Sequence, residues 1–221
     1  MKTDAQLQQD VMNELKWDPS VKAAIRVDAK DGVVTLSGYV DSYSKKSTAD
    51  RVAARVFGVK AVVEKIQVRL PVPLKRPDKS LARAASNALK WNVRVPHDRV
   101  KVQVHNGLVT LSGEVDWWYQ KNAAETAVRH LVGVISVSNG ITIKPGSKLL
   151  EQLDADVKDN IESAFQRNAV LDARRITVET RGGKVILRGS VHSWAEKAEA
   201  QWAAFAAPGV FEVENNIIIS P

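Results

Sequence analysis

The chain contains no cysteine, which excludes disulfide staples, thiolate nucleophiles and thiolate metal ligands. No run approaches the roughly 20 apolar residues of a membrane-spanning helix. The start, Met1-Lys2-Thr3-Asp4-Ala5-Gln6, lacks the apolar core of a signal peptide. As written, the sequence therefore predicts a soluble cytoplasmic protein, or a periplasmic one if the start has been processed or replaced. Catalytic patterns are missing too. There is no phosphate-binding Gly-x-x-x-x-Gly-Lys-Ser/Thr loop. His97, His105, His130 and His192 fall in different contexts, and no two show helical metal spacing. Ser37 and Ser112 recur without a matching histidine, and Arg188 stands at the third equivalent place. These features predict neither an enzyme nor a cofactor. Aromatic residues make up only 6% of the chain, so the places of its few tryptophans carry information.

What is present is a repeat. Gly32-Val33-Val34-Thr35-Leu36-Ser37-Gly38 returns as Gly107-Leu108-Val109-Thr110-Leu111-Ser112-Gly113, and more loosely as Gly183-Lys184-Val185-Ile186-Leu187-Arg188-Gly189. The offsets are 75 and 76 residues, and Gly58, Gly133 and Gly209 keep the same register. Such a period is too long for a solenoid unit and fits one small domain per copy.

Each copy opens with a helical stripe: Leu7, Val11, Met12 and Leu15; then Leu81, Ala84, Ala85, Ala88 and Leu89; then Leu153, Val157, Ile161, Ala164 and Phe165. Thr3 or Asp4 can cap the first. Alternating segments follow at Ile25-Val27-Ala29, Val100-Val102-Val104 and Ile176-Val178-Thr180. Asp31-Gly32, Asn106-Gly107 and Gly182-Gly183 supply hairpin turns. The repeated glycine segment is the return strand, and Gly38, Gly113 and Gly189 at its end suggest a bulge or a close backbone approach. Second helices are expected over 44–57, 119–132 and 194–207, stopped at Gly58, Gly133 and Pro208-Gly209. Last strands run over Val62–Val68, Val134–Ile143 and Val210–Ile219. The predicted fold class is α+β: three tandem α-β-β-α-β two-layer sandwiches, each a three-stranded sheet with two helices on one face. Strand order is left open. The linkers are a semi-rigid Pro71-Val72-Pro73-Leu74-Lys75-Arg76-Pro77 and a short Lys144-Pro145-Gly146-Ser147 that can flex.

This unit resembles the BON domain. The residues that carry the resemblance are Gly-Val-Val-Thr-Leu-Ser-Gly-Tyr-Val-Asp-Ser, Val-Phe-Gly-Val-Lys-Ala-Val-Val-Glu and the pairs Gly58-Val59, Gly133-Val134 and Gly209-Val210. It covers about residues 3–70, 77–145 and 152–220. The resemblance implies a non-enzymatic binding module of envelope or stress proteins, many of them proposed to bind phospholipid membranes. It also brings in potassium as an alternative ligand, and transport-associated or self-assembling roles as further ones. A potassium site uses backbone carbonyls, so the sequence leaves any metal site unknown.

Charge narrows the surface. Residues 1–70 carry 12 basic against 9 acidic residues, 71–146 carry 11 against 5, and 147–221 carry 9 against 11. The net values are +3, +6 and −2. The basic stretch is Lys75, Arg76, Lys79, Arg83, Lys90, Arg94, Arg99 and Lys101, and helical spacing sets Arg76, Lys79, Arg83 and Lys90 roughly along one side. It is read either as a solvated face or as a site for anionic headgroups. Nucleic-acid recognition patterns do not accompany it, so nucleic acid is not expected as a partner. Tyr43, Trp118 and Trp194 sit at the entry to each second helix, and Trp117 and Tyr119 flank the middle one. They are read as hydrophobic staples, or as exposed rings for a membrane interface, a partner groove or a second copy of the chain. Trp17 and Trp91, with Arg167 at the third equivalent place, are expected in core or inter-repeat packing.

Overall fold

The computed structural model describes residues 2–21, 23–144 and 154–220. Unit 1 comprises α1 (Asp4–Trp17), β1 (Ile25–Lys30), β2 (Val33–Val40), α2 (Tyr43–Ala54) and β3 (Ala61–Val68). Unit 2 comprises α3 (Asp78–Trp91), β4 (Val100–His105), β5 (Leu108–Val115), α4 (Trp118–Arg129) and β6 (Ser136–Ile143). Unit 3 comprises α5 (Asp154–Arg167), β7 (Ile176–Arg181), β8 (Lys184–Val191), α6 (Trp194–Ala206) and β9 (Glu212–Ile219). The expected α-β-β-α-β order holds in all three. Leu153 and the segment Pro145-Gly146-Ser147 lie outside the described residues.

The strand order is now fixed. The glycine strand is central in every sheet, in the orders β1-β2-β3, β4-β5-β6 and β7-β8-β9. The first pair is an antiparallel hairpin, with Val27 opposite Leu36. The second pair is parallel, with Gly38 opposite Ile66. A parallel pair cannot be joined by a tight turn, so the second helix serves as the crossover. The hairpin turn at Asn106-Gly107 has φ of 50° and 77°, the left-handed conformation that the sequence pair was chosen for. Gly113 has φ 129°, and a Cβ there would lie 2.1 Å from the Arg99 carbonyl oxygen. The close approach expected at this repeated glycine is thus real.

Helix termini follow local chemistry. Thr3 and Gln6 form a reciprocal capping box on α1. Ser42 and Ser193 accept from the third helical N–H of α2 and α6. Helices α2 and α4 end three residues short of the expected limit. After Ala54 the ladder tightens, with Val56 N–H bonding Ala53 O and Val59 N–H bonding Val56 O. The glycine therefore ends a turn appended to the helix rather than the helix itself.

Each unit has its own core. In unit 1, Leu7, Val11 and Leu15 pack with Val27, Val34, Leu36, Ala49, Val52, Ala53 and Ile66. Units 2 and 3 repeat this with Leu81, Leu89, Leu111 and Ile141, and with Ile161, Phe165, Leu187 and Ile217. Both helices lie on one face of each sheet, which leaves the other face to Arg26, Lys101, Glu179 and similar side chains.

Candidate functional site

The basic stretch is organised by α3. The Asp78 carboxylate at its first turn accepts hydrogen bonds from Asn106 N–H at 2.7 Å and Gly107 N–H at 3.0 Å, which ties the helix start to the β4–β5 turn. Leu81, Ala85 and Leu89 are buried. At about 100° per residue, Lys79, Arg83 and Lys90 fall on the opposite side, and all three are exposed. None of them pairs with a carboxylate among the described residues. Lys75 and Lys101 are exposed as well.

The other basic residues have partners. Arg76 donates from Nη1 to the Pro73 and Lys75 carbonyls at 3.2 and 3.4 Å. Its aliphatic stem lies over Gly133, where an added Cβ would be 2.9 Å away. The Arg94 guanidinium lies 5.5 Å from the centre of the exposed Tyr119 ring. Arg99 donates to Asp116 Oδ2 at 2.6 Å, and that hydrogen bond holds its pKa above the usual arginine value. Arg99 is therefore neutralised locally, while Lys79, Arg83 and Lys90 are not.

The expectation for Trp17 and Trp91 is overturned. They are 85% and 84% exposed and touch neither core. Each stands two residues past the last stripe residue, Leu15 or Leu89, about 200° further round the helix. Each follows an exposed lysine, Lys16 or Lys90. The tip of α3 thus combines Lys90, Trp91 and the exposed Arg94 beside a row of lysine and arginine.

The helix-entry aromatics are placed differently from one another. Tyr43 packs against the core of unit 2, and Ser44 Oγ lies 2.9 Å from His130 Nδ1. Burial pushes the Tyr43 hydroxyl pKa up, with the Glu125 carboxylate acting in the same sense. Trp118 stands edge-on to Trp202 of unit 3, at 4.5 Å between ring centres and 76° between planes. The same ring stacks on Phe205, at 5.4 Å and 12°. Arg129, next to Tyr43, and Phe205, under Trp118, hold the same place in their units, so one docking contact is used twice. The corresponding residue of unit 1 is Ala54. Units 3 and 1 also meet, through α6 and α2 and through His192 and Phe57 with ring centres 6.1 Å apart. The second helices thereby link unit 1 to 2, 2 to 3 and 3 back to 1.

Trp194 is 40% exposed and has the Lys197 ammonium 5.5 Å from its ring centre. Trp117, half-buried at the N-cap of α4, donates its backbone N–H to Gln120 Oε1 at 3.0 Å. Sequence reasoning missed Trp202 and Phe205. The signal was available, because Trp202 lies eight residues after Trp194 and so falls on the same i, i+4, i+8 row of the helix. Among the described residues, no group of three or more His, Asp or Glu side chains could hold a metal ion. Among them, no helix is long and apolar enough to cross a membrane.

Comparison with known proteins gives these surfaces a family. The BON domain matches the chain at residues 3–69, 77–145 and 153–221. The chain is 34% identical over 129 residues to osmotically-inducible protein Y of Escherichia coli strain K12, covering 57% of this chain and 63% of that relative. It therefore spans less than two thirds of the relative's length. It is also similar to the C-terminal domain of CdsD, a structural protein of the type III secretion system of Chlamydia trachomatis, at 15% identity, full coverage of both chains and a TM-score of 0.27. A second CdsD structure gives 14% identity, 96% and 91% coverage and a TM-score of 0.28. At these TM-scores the likeness to CdsD carries no argument. The three family matches and the threefold α-β-β-α-β architecture do: the chain belongs to the BON domain family, with three such units in tandem.

Proposed function

We propose that this chain is a non-catalytic, stress-linked binding protein that attaches to anionic phospholipid surfaces through the outer face of α3. The observation that carries the reading is the combination on one helix of exposed Lys79, Arg83 and Lys90 with a tryptophan 84% exposed at its tip. Basic side chains near an anionic bilayer contribute roughly 1 kcal/mol each. A tryptophan beside them can lodge at the headgroup level, where its ring is buried and its N–H stays wet. Lys16 and Trp17 repeat the arrangement on α1 with less charge. The name of the Escherichia coli relative, osmotically-inducible, supports the link to stress.

Vesicle flotation tests the reading. The full chain is expected to float with phosphatidylglycerol vesicles and not with phosphatidylcholine ones, and to be released by salt. Lys79→Glu with Arg83→Glu should weaken binding by about 30-fold or more, from roughly 2 kcal/mol of lost attraction. Trp91→Ala should weaken it further without changing the salt dependence. Equal binding to both vesicle types would sink the proposal, and so would unchanged binding by the double charge reversal.

A further inference from the structure

A second surface lies away from the basic helix and goes beyond the membrane reading. The positions of the three second helices that point away from their own core are equivalent in register: Tyr43-Ser47-Arg51 on α2 with Arg55 at its C-cap, Trp118-Asn122-Thr126 on α4 with His130 at its C-cap, and Trp194-Ala198-Trp202-Ala206 on α6. The first two rows turn polar after their opening aromatic. The third stays apolar for its whole length. All four of its residues are exposed, with Trp202 at 47% even though it receives Trp118. The spacing i, i+4, i+8, i+12 puts them on the side opposite the buried Ala200 and Ala204.

The charged neighbours of this row are held by their own unit. Glu196 accepts from His192 N–H at 3.1 Å and from Ser193 Oγ at 3.2 Å. Lys197 donates to the Ile217 carbonyl at 2.6 Å, and burial lowers its pKa. Glu199 accepts from Asn168 Nδ2 at 2.8 Å. The row is an exposed apolar stripe, edged by Lys197 at Trp194, in the one region of the chain whose net charge is negative, −2 over residues 147–221. That charge opposes an anionic bilayer as the occupant.

We propose that the outer face of α6 is a docking surface for a second copy of this chain, packed two-fold and antiparallel on the same face. Three features favour this occupant. The stripe continues an existing interface, since Trp202 already seats the Trp118 ring. Its large–small–large pattern is symmetric about Ala198: an antiparallel partner centred there closes the two alanines on the axis and sets Trp194 of each helix beside Trp202 of the other. Trp194 meets no aromatic ring among the described residues, while Trp118, its equivalent in unit 2, is clamped by two.

The absence of cysteine gives a direct test on the full chain. Ala198 lies midway between the tryptophans, so two-fold packing brings the paired Ala198 residues close to the axis. Ala198→Cys is expected to oxidise to a disulfide-linked dimer as the main product, because a disulfide needs Cβ atoms within about 4 Å. Ala84→Cys, on the exposed outer face of α3, serves as control and should form no disulfide-linked dimer. Light scattering on the parent chain should give a dimer mass that falls to a monomer in Ala198→Arg, with an unchanged far-ultraviolet spectrum. A parent that is monomeric throughout the micromolar to millimolar range overturns the proposal, as does equal crosslinking of both cysteine variants. Loss of vesicle binding by Ala198→Arg in a monomeric parent also overturns it and hands the stripe to lipid. Ala198→Arg should leave vesicle flotation intact and the α3 charge reversals should leave the dimer intact, so the two proposals fail separately.

Discussion

At the residue scale, the repeat exposes one misfit. The strand position occupied by Asn139 in β6 and Asn215 in β9 is Glu64 in β3. The helix residue facing it is Glu125 in unit 2, Gln201 in unit 3 and Asp50 in unit 1. Unit 1 therefore sets two carboxylates near each other where its sister units set an amide beside a carboxylate or a second amide. Burial, and then repulsion from Glu64, hold the Asp50 pKa above the usual aspartate value, with Lys46 pulling the other way. A raised folded-state pKa means that the folded chain holds this proton more tightly than the unfolded chain. The associated stability is present below the unfolded pKa of about 3.9 and is lost as pH rises through the folded value. Asp50→Asn removes that loss. Thermal melts at pH 7 should show a higher Tm for the variant, and the gain should vanish as pH falls below about 4. A gain of the same size at both pH values would show that ionisation of Asp50 is not its source.

At the scale of elements, the same strand position explains how the crossover helix is held. In unit 2, Asn139 Nδ2 donates to the Lys121 carbonyl at 3.0 Å and to Glu125 at 3.2 Å, while its Oδ1 accepts from Ile141 N–H at 3.3 Å. One side chain thereby bolts α4 to β6, and Asn215 does the same for α6 and β9. Asn139→Ala removes all three hydrogen bonds between half-buried groups, although Glu125 keeps Arg129, so it should cost about 1–3 kcal/mol in chemical denaturation, and Asn139→Asp should recover only the acceptor half. This is where the legible and the hidden divide. Helices and strands announced themselves through Leu7-Val11-Leu15 and Val34-Leu36, because burying one face imposes a period on the chain. The turns were equally plain, since Asn106-Gly107 supplies the positive φ that few other pairs tolerate. Strand order was not, because the glycine strand is apolar on one face and reads the same at the centre or at the edge. Nor was the fate of the tryptophans. Trp17 and Trp91 have the composition of core residues, and only their angle round the helix from Leu15 and Leu89 shows that they point outward.

At the scale of the molecule, three small sandwiches share a joint that no single unit contains. A domain of this size buries only about 60% of its unfolded surface, so contacts between units contribute to the stability of each. The basic helix face and the seams also divide the labour: Tyr43 and Trp118 pack against neighbouring units, while Trp17 and Trp91 stay exposed. The joint between units 2 and 3 rests on Trp118, whose ring is engaged by Trp202 and Phe205. Removing it deletes a half-buried indole and two aromatic contacts, which together are worth about 2 kcal/mol. The loss falls on the coupling, since Trp118 is not among the buried residues of the unit 2 core. In Trp118→Ala, unit 3 keeps only its contact with unit 1 through α2 and Phe57, so calorimetry should resolve it as a separate, earlier transition, while units 1 and 2 keep their joint through Tyr43 and melt near the parental temperature. Trp118→Phe should restore most of the coupling. A single parental transition in the alanine variant would mean that the ring contacts do not couple the units. A uniform fall of the whole profile would place Trp118 inside the stability of unit 2 itself.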